Sequence, residues 1–183
     1  MGTIYLVRHA HSDWTTDENR SLSQKGQEDS NHVADILEKY SIDAIYSSPM
    51  NRAYETILPL SKRLNIPVLT EPNLRERIIG VSPSDDFNES INNLWRDPDI
   101  SYPKGESNNV AQQRGITFLQ RLHINHLEKQ IVISTHGNLL ALILQYYKEK
   151  IDYEFWKALT MPDIYALNFN NYEKVIISKL WKQ

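Results

Sequence analysis

The chain has 183 residues, 40% of them hydrophobic and 10% aromatic, with charges of both signs spread along it, which excludes disordered and fibrous classes and predicts one domain over residues 1–183. A net charge of -3 gives no general attraction for nucleic acid or an anionic membrane, so any anion must be met by a local cluster. There is no cysteine, which excludes disulfides and thiolate zinc sites. With no signal-like leader in MGTIYLVRHA and no membrane-length apolar run, the expected setting is cytoplasmic.

Short runs rich in β-branched and aromatic residues alternate with stretches of helical spacing, the pattern of an α/β domain around a mostly parallel sheet. TIYLVR at 3–8 predicts the first strand. A helix follows, capped by Ser23, with Val33, Ile36, Leu37 and Tyr40 on one face. DAIYSS at 43–48 predicts the second strand, closing a βαβ unit. Ser48 and Pro49 read as the cap and first residue of a helix running to Leu64, kinked at Pro59, with Arg52 in its first turns. A weaker strand is expected at IPVLTE, 66–71. The segment 78–107 is rich in Pro, Asn, Ser and Asp, with a helical patch only around Phe87–Trp95, and reads as a lid or binding loop near the site. A helix over 107–127 rests on Phe118, Leu119 and Leu122, and another runs from Gly137 through Tyr147. Strands are predicted at QIVIST (130–135), DIYALNF (163–169) and KVIISKLW (174–181).

Open α/β sheets bind ligands at the carboxyl ends of their strands. The first strand ends in Arg8 and His9, the second runs into SSPMNRAYE with Arg52, and QIVIST ends in His136 and Gly137. Together these gather two guanidiniums, two imidazoles and helix N-termini, a pocket suited to a phosphate dianion. A neutral imidazole is a competent nucleophile towards phosphorus, leaving open whether His9 or His136 attacks. Glu76 in NLRERI is the acid best placed to protonate a departing alkoxide.

Six short motifs then follow one another in order: VRHAHS, LSQKG, SSPMNRAYET, LRE, PKGES and STHG. In this order they resemble the R-H-G, L-T-x-x-G, S-S-P-x-x-R-A-x-x-T, acid, G-E-S and T-H-G blocks of the histidine phosphatase superfamily, in its phosphoglycerate-mutase-like branch. The resemblance covers nearly the whole chain and implies a three-layer α/β/α sandwich. It implies that His9 becomes phosphohistidine, that Arg8, Arg52, His136 and Gly137 hold the phosphate, and that Glu76 is general acid and then base. Gly137 would turn the backbone sharply behind His136. No metal and no cofactor are implied, and the partner is a small phosphorylated substrate. The chain departs from the family pattern at Ala10, where glycine is usual, and at His11 and Thr15, both candidate substrate contacts. The tryptophan-containing continuation after the acid and the mutases' longer insertions are absent, which favours hydrolysis over mutase chemistry.

Other roles stay open at several positions. His9 and His11 share a face of an extended segment but lack an obvious third metal ligand. His123 and His126 are spaced as a helical pair, with His126 on the apolar face, while His32 suits an exposed position. Arg75 and Arg77 fit either an acidic substrate or a solvated strand edge. Ser107 suits a helix cap, and Glu106 is a candidate pocket residue. Trp14, Trp95 and Tyr102 suit a substrate mouth or a sealed core edge. A phosphoglycerate mutase and a phospho-ligand binding module without turnover are the alternative functions.

Overall fold

Apolar alternation in the strands divides the core into two. The computed structural model describes residues 2–82, 86–125, 128–169 and 175–182. Its strands are β1 (Thr3–Arg8), β2 (Ala44–Ser47), β3 (Val68–Thr70), β4 (Gln130–Thr135), β5 (Asp163–Phe169) and β6 (Val175–Lys179). They form one sheet in the order β3-β2-β4-β1-β5-β6. The pairs β2–β3, β2–β4 and β1–β4 are parallel, and β1–β5 and β5–β6 are antiparallel. The helices are α1 (Gln24–Leu37), α2 (Asn51–Leu64), α3 (Phe87–Arg96), α4 (Asn108–Asn125), α5 (Gly137–Tyr147) and α6 (Tyr153–Ala158).

Successive strand side chains point to opposite faces. Ile4, Leu6, Ile131, Ile133 and Leu167 pack with Ile116, Leu119, Leu139 and Leu140 from α4 and α5. Tyr5, Val7, Val132, Ile164 and Ala166 pack with Val33, Leu37, Ile57 and Leu60 from α1 and α2. The result is the three-layer arrangement, with the central strands buried on both sides.

Strand β1 leads into α1 on one face, whereas its parallel neighbour β4 leads into α5 on the other. Such a reversal opens a crevice at the carboxyl ends of the two strands. Arg8 is registered with Thr135 there, so the residues that follow each strand, His9 and His136, enter the crevice side by side.

Several boundaries differ from expectation. Helix α2 starts at Asn51 with Met50 as its cap, because Ser48 is drawn into the sheet edge: its amide donates to the Ser134 carbonyl and its hydroxyl meets His136. Pro59 lies inside α2 as expected. Helix α1 ends at Leu37, so Tyr40 lies beyond it, exposed and against the Tyr5 ring. Ser23 caps α1 and Ser107 bonds the Val110 amide at the start of α4. The expected end of that helix at 126–127, with His126, and the side chain of His123 lie outside the described residues; His32 is exposed. The short α6 was not foreseen, although its Asp152 cap is a readable signal. Among the described residues no helix is long and apolar enough to cross a membrane.

Candidate active site

The His9 amide donates to the Thr135 carbonyl, extending the β1–β4 pairing by one residue and fixing where the ring leaves the sheet. Its Nδ1 lies 2.7 Å from the Ala10 carbonyl, which can only accept, so Nδ1 carries the proton and Nε2 presents the lone pair. Arg52 Nε lies 3.2 Å from that Nε2. The Ala10 amide in turn donates to Thr56 Oγ1 on α2, and Ala10 needs no left-handed backbone, so a methyl group is tolerated where glycine is usual.

His136 is fully buried, its ring 5.1 Å from that of His9 and its Nε2 2.8 Å from Ser48 Oγ. Burial, then the neighbouring cations Arg52, Arg8 and Arg20, push His9 down to about 3, against the hydrogen bond to Ala10, which favours its proton. Burial and the nearby charges likewise hold His136 well below the usual imidazole value. Both rings are therefore neutral at pH 7.

Arg8 anchors its guanidinium on the carbonyls of Leu159 (2.8 Å) and Thr160 (3.2 Å), in the turn before β5. That turn is tied down by the Thr160 amide on Asp163, whose buried carboxylate also takes Lys179 at 2.8 Å. Gly137 has no left-handed backbone; what it supplies is room, since a Cβ there would sit 3.0 Å from Arg8 Nε. The chain does turn from β4 into α5 across His136 alone, and what the glycine adds to that turn is this close approach.

Glu76 follows a single 3-10 turn (Pro72–Leu74) after β3. Its carboxylate accepts from the amides of Asn138 (3.1 Å), Leu139 (3.1 Å) and Arg77 (2.9 Å), two of them at the start of α5 beside His136. The structure therefore brings Arg8, His9, Arg52, Glu76, His136 and Gly137 to one strand edge.

The remaining candidates separate. His11 Nδ1 is 2.8 Å from the Ser23 hydroxyl, which ties the ring to the α1 cap. Thr15 is exposed and its hydroxyl closes a local turn on the Asp17 backbone. Glu106 is no pocket group: its oxygens are taken by Arg114, Arg75 and the Ile78 amide. Arg75 is spent in that ion pair. Arg77 is 2% exposed, and none of its guanidinium nitrogens has a partner among the described residues. Trp14 is 81% exposed and seals no core, whereas Trp95 packs on the α4–α5 side. Among the described residues no group of three or more His, Asp or Glu gathers to hold a metal.

Arg20 was missed from the sequence. Its loop docks on the start of α2, where the Glu18 carbonyl accepts from Arg52 Nη1 at 2.6 Å and Asn19 Oδ1 from the Asn51 amide at 2.9 Å. Arg20 Nε then meets Ser12 at 3.3 Å, and its charge acts on His9, Arg52 and His136. Only its R-x-L-S setting before α1 could have marked it.

The chain is 26% identical over 150 residues to phosphoserine phosphatase 1 of Hydrogenobacter thermophilus, covering 74% of this chain and 71% of the relative. It is 29% identical over 160 residues to phosphoglycerate mutase-like protein 4 of Arabidopsis thaliana, covering 78% and 69%. Its fold superposes on an Entamoeba histolytica phosphoserine phosphatase mutant solved with phosphoserine, with a TM-score of 0.79 at 19% identity over 98% and 97% of the two chains. Residues 4–179 match the profile of the histidine phosphatase superfamily, branch 1, and the chain belongs to that family.

Proposed function

We propose that the protein hydrolyses a small phosphate monoester through a phosphohistidine on His9, without a metal. The observation that carries this reading is the His9 ring itself: neutral, its Nδ1 proton committed to Ala10, its Nε2 lone pair facing Arg52, the His136 ring beside it and the charge of Arg8 acting on it. Nε2 attacks phosphorus as the ester P–O bond breaks, and Glu76 gives a proton to the leaving oxygen. Glu76 then takes a proton from water, whose oxygen attacks phosphorus as the N–P bond breaks. Phosphate leaves and neutral His9 returns. The guanidiniums stabilise charge on the equatorial oxygens throughout.

Arg77 supports an acidic substrate. A buried guanidinium without a carboxylate partner is costly, and a ligand anion beside the phosphoester would offset that cost. A small soluble metabolite carrying a carboxylate, in a cytoplasmic setting, fits this better than a nucleic acid or a membrane. The phosphoglycerate mutase-like relative keeps mutase chemistry as a second reading, in which a bound sugar acid replaces water as acceptor.

The test is turnover of an aryl phosphate and of a panel of phosphorylated carboxylates by the purified protein, with and without EDTA. Hydrolysis should persist in EDTA and vanish in His9→Ala; turnover by His9→Ala would overturn the mechanism. A bisphosphoglycerate-primed assay separates hydrolysis from mutase transfer.

A further inference from the structure

The loop bearing Glu76 has little regular structure of its own, yet a general acid must meet its leaving oxygen within a fraction of an ångström. What holds the loop from behind is Arg114 on α4. Its Nη1 donates to the Asn73 carbonyl and its Nη2 to the Glu76 carbonyl at 3.3 Å. Its Nε and Nη2 also grip the two Glu106 oxygens, at 3.2 and 2.6 Å, in the fork geometry that arginine alone provides.

Glu106 completes the clamp from the other end of the 78–107 excursion. Its Oε1 accepts from the Ile78 amide at 3.2 Å, its Oε2 from Arg75 at 3.2 Å, and its own amide donates to the Ile78 carbonyl at 2.8 Å. Backbone groups at residues 73, 76 and 78, on both sides of the acid, are thereby tied to one ion pair whose partners are each 10% exposed. Burial alone would raise the Glu106 carboxyl, but the hydrogen bond and charge of Arg114 outweigh it and hold the group below its usual range. The pair is thus charged at working pH, as the clamp requires.

We propose that Arg114 is a positioning residue for the acid, acting through the Asn73 and Glu76 carbonyls with Glu106 as its counter-charge. This rests on the reading of Glu76 as general acid. The carboxylate head is placed by the α5 amides and its backbone by Arg114, so the reach of the acid is set between two helices instead of by the loop.

The test compares a nitrophenyl phosphate, whose leaving group needs no proton, with an alkyl phosphate, whose leaving group does. Wild type, Glu76→Gln, Arg114→Gln, Arg114→Lys and Glu106→Gln are assayed alongside their thermal unfolding. Arg114→Gln should lose about tenfold or more in kcat on the alkyl ester and little on the nitrophenyl ester, the direction expected of Glu76→Gln. Arg114→Lys should restore little, since an ammonium cannot span both carbonyls and the carboxylate. A folded Arg114→Gln that slows both esters alike, or neither, while Glu76→Gln is selective, overturns the proposal and leaves the acid standing. An unselective Glu76→Gln overturns the acid reading itself, and the clamp's catalytic role with it. If Arg114→Gln does not fold, Glu106→Gln decides: it keeps the arginine, removes the counter-charge and should show the same selectivity in weaker form, and equal slowing of both esters overturns the proposal.

Discussion

Arg52 Nε donates to His9 Nε2 across 3.2 Å, so a guanidinium meets the lone pair that would attack phosphorus. Burial keeps the imidazole neutral, and the contact adds to this, because a proton on Nε2 would face a cation at hydrogen-bond distance. On the proposed mechanism, a phosphate dianion entering this place would take the guanidinium as its own partner and free the lone pair at the same moment. Substrate binding and exposure of the nucleophile would then be one event.

Arg52→Ala should therefore do more than remove one phosphate contact. It also releases the Glu18 carbonyl that docks the 12–20 loop. We expect kcat/KM for an aryl phosphate to fall by about 10²–10³, the range for loss of one charge-stabilising donor, with weaker competitive inhibition by inorganic phosphate. Unchanged phosphate inhibition would contradict a role in anion binding.

The neutral state of His9 has a pH signature in stability. In the unfolded chain its ring protonates near 6.5, in the folded chain only near 3, so the unfolded state takes up the proton first as pH falls. Stability is complete above 6.5 and is lost on the way down towards 3. At roughly 1.4 kcal/mol per pH unit, wild type should lose about 2 kcal/mol more than His9→Gln between pH 7 and pH 5. Urea unfolding at both values checks this, and equal losses would contradict it.

Two glycines predict opposite outcomes on substitution. A methyl on Gly26 would overlap the His11 backbone carbonyl, which cannot yield without moving the loop after β1. Gly26→Ala should cost about 1–3 kcal/mol of stability, read by thermal or urea unfolding. The nearest atoms to a methyl on Gly137 are at the end of the Arg8 side chain, at 3.0–3.2 Å. Gly137→Ala should leave the melting temperature nearly unchanged and weaken phosphate inhibition several-fold.

Arg20 should tune anion binding from the loop side. Its Nε rests on Ser12, and no carboxylate pairs with it among the described residues. Arg20→Ala should raise KM for a phosphate ester, with the difference from wild type shrinking as salt is added, since a partly exposed charge is screened. A salt-independent difference would point to loop packing instead.

Much of this molecule is written in neighbouring residues. The bounds of β1, β4 and β5 follow from β-branched alternation, and α5 from its apolar run after Gly137. The convergence of Arg8, His9 and His136 follows from their places at strand ends, because parallel β1 and β4 deliver their next residues to one edge, and Arg52 joins them from the first turn of α2. Side-chain partners followed no such rule. Ser48 left its helix for His136, 88 residues away, and Gly137 proved to accommodate Arg8. Glu106 turned from the pocket to Arg114, while Thr15 gave way to Arg20 at the pocket rim.

The division has a physical cause. A strand or helix is set by backbone hydrogen bonds and by a periodicity of a few residues, so nearby residue types suffice to specify it. A long charged side chain instead chooses its partner only when helices and loops far apart in the chain have packed, because charge is stable in the interior only where a counter-charge or several acceptors arrive together.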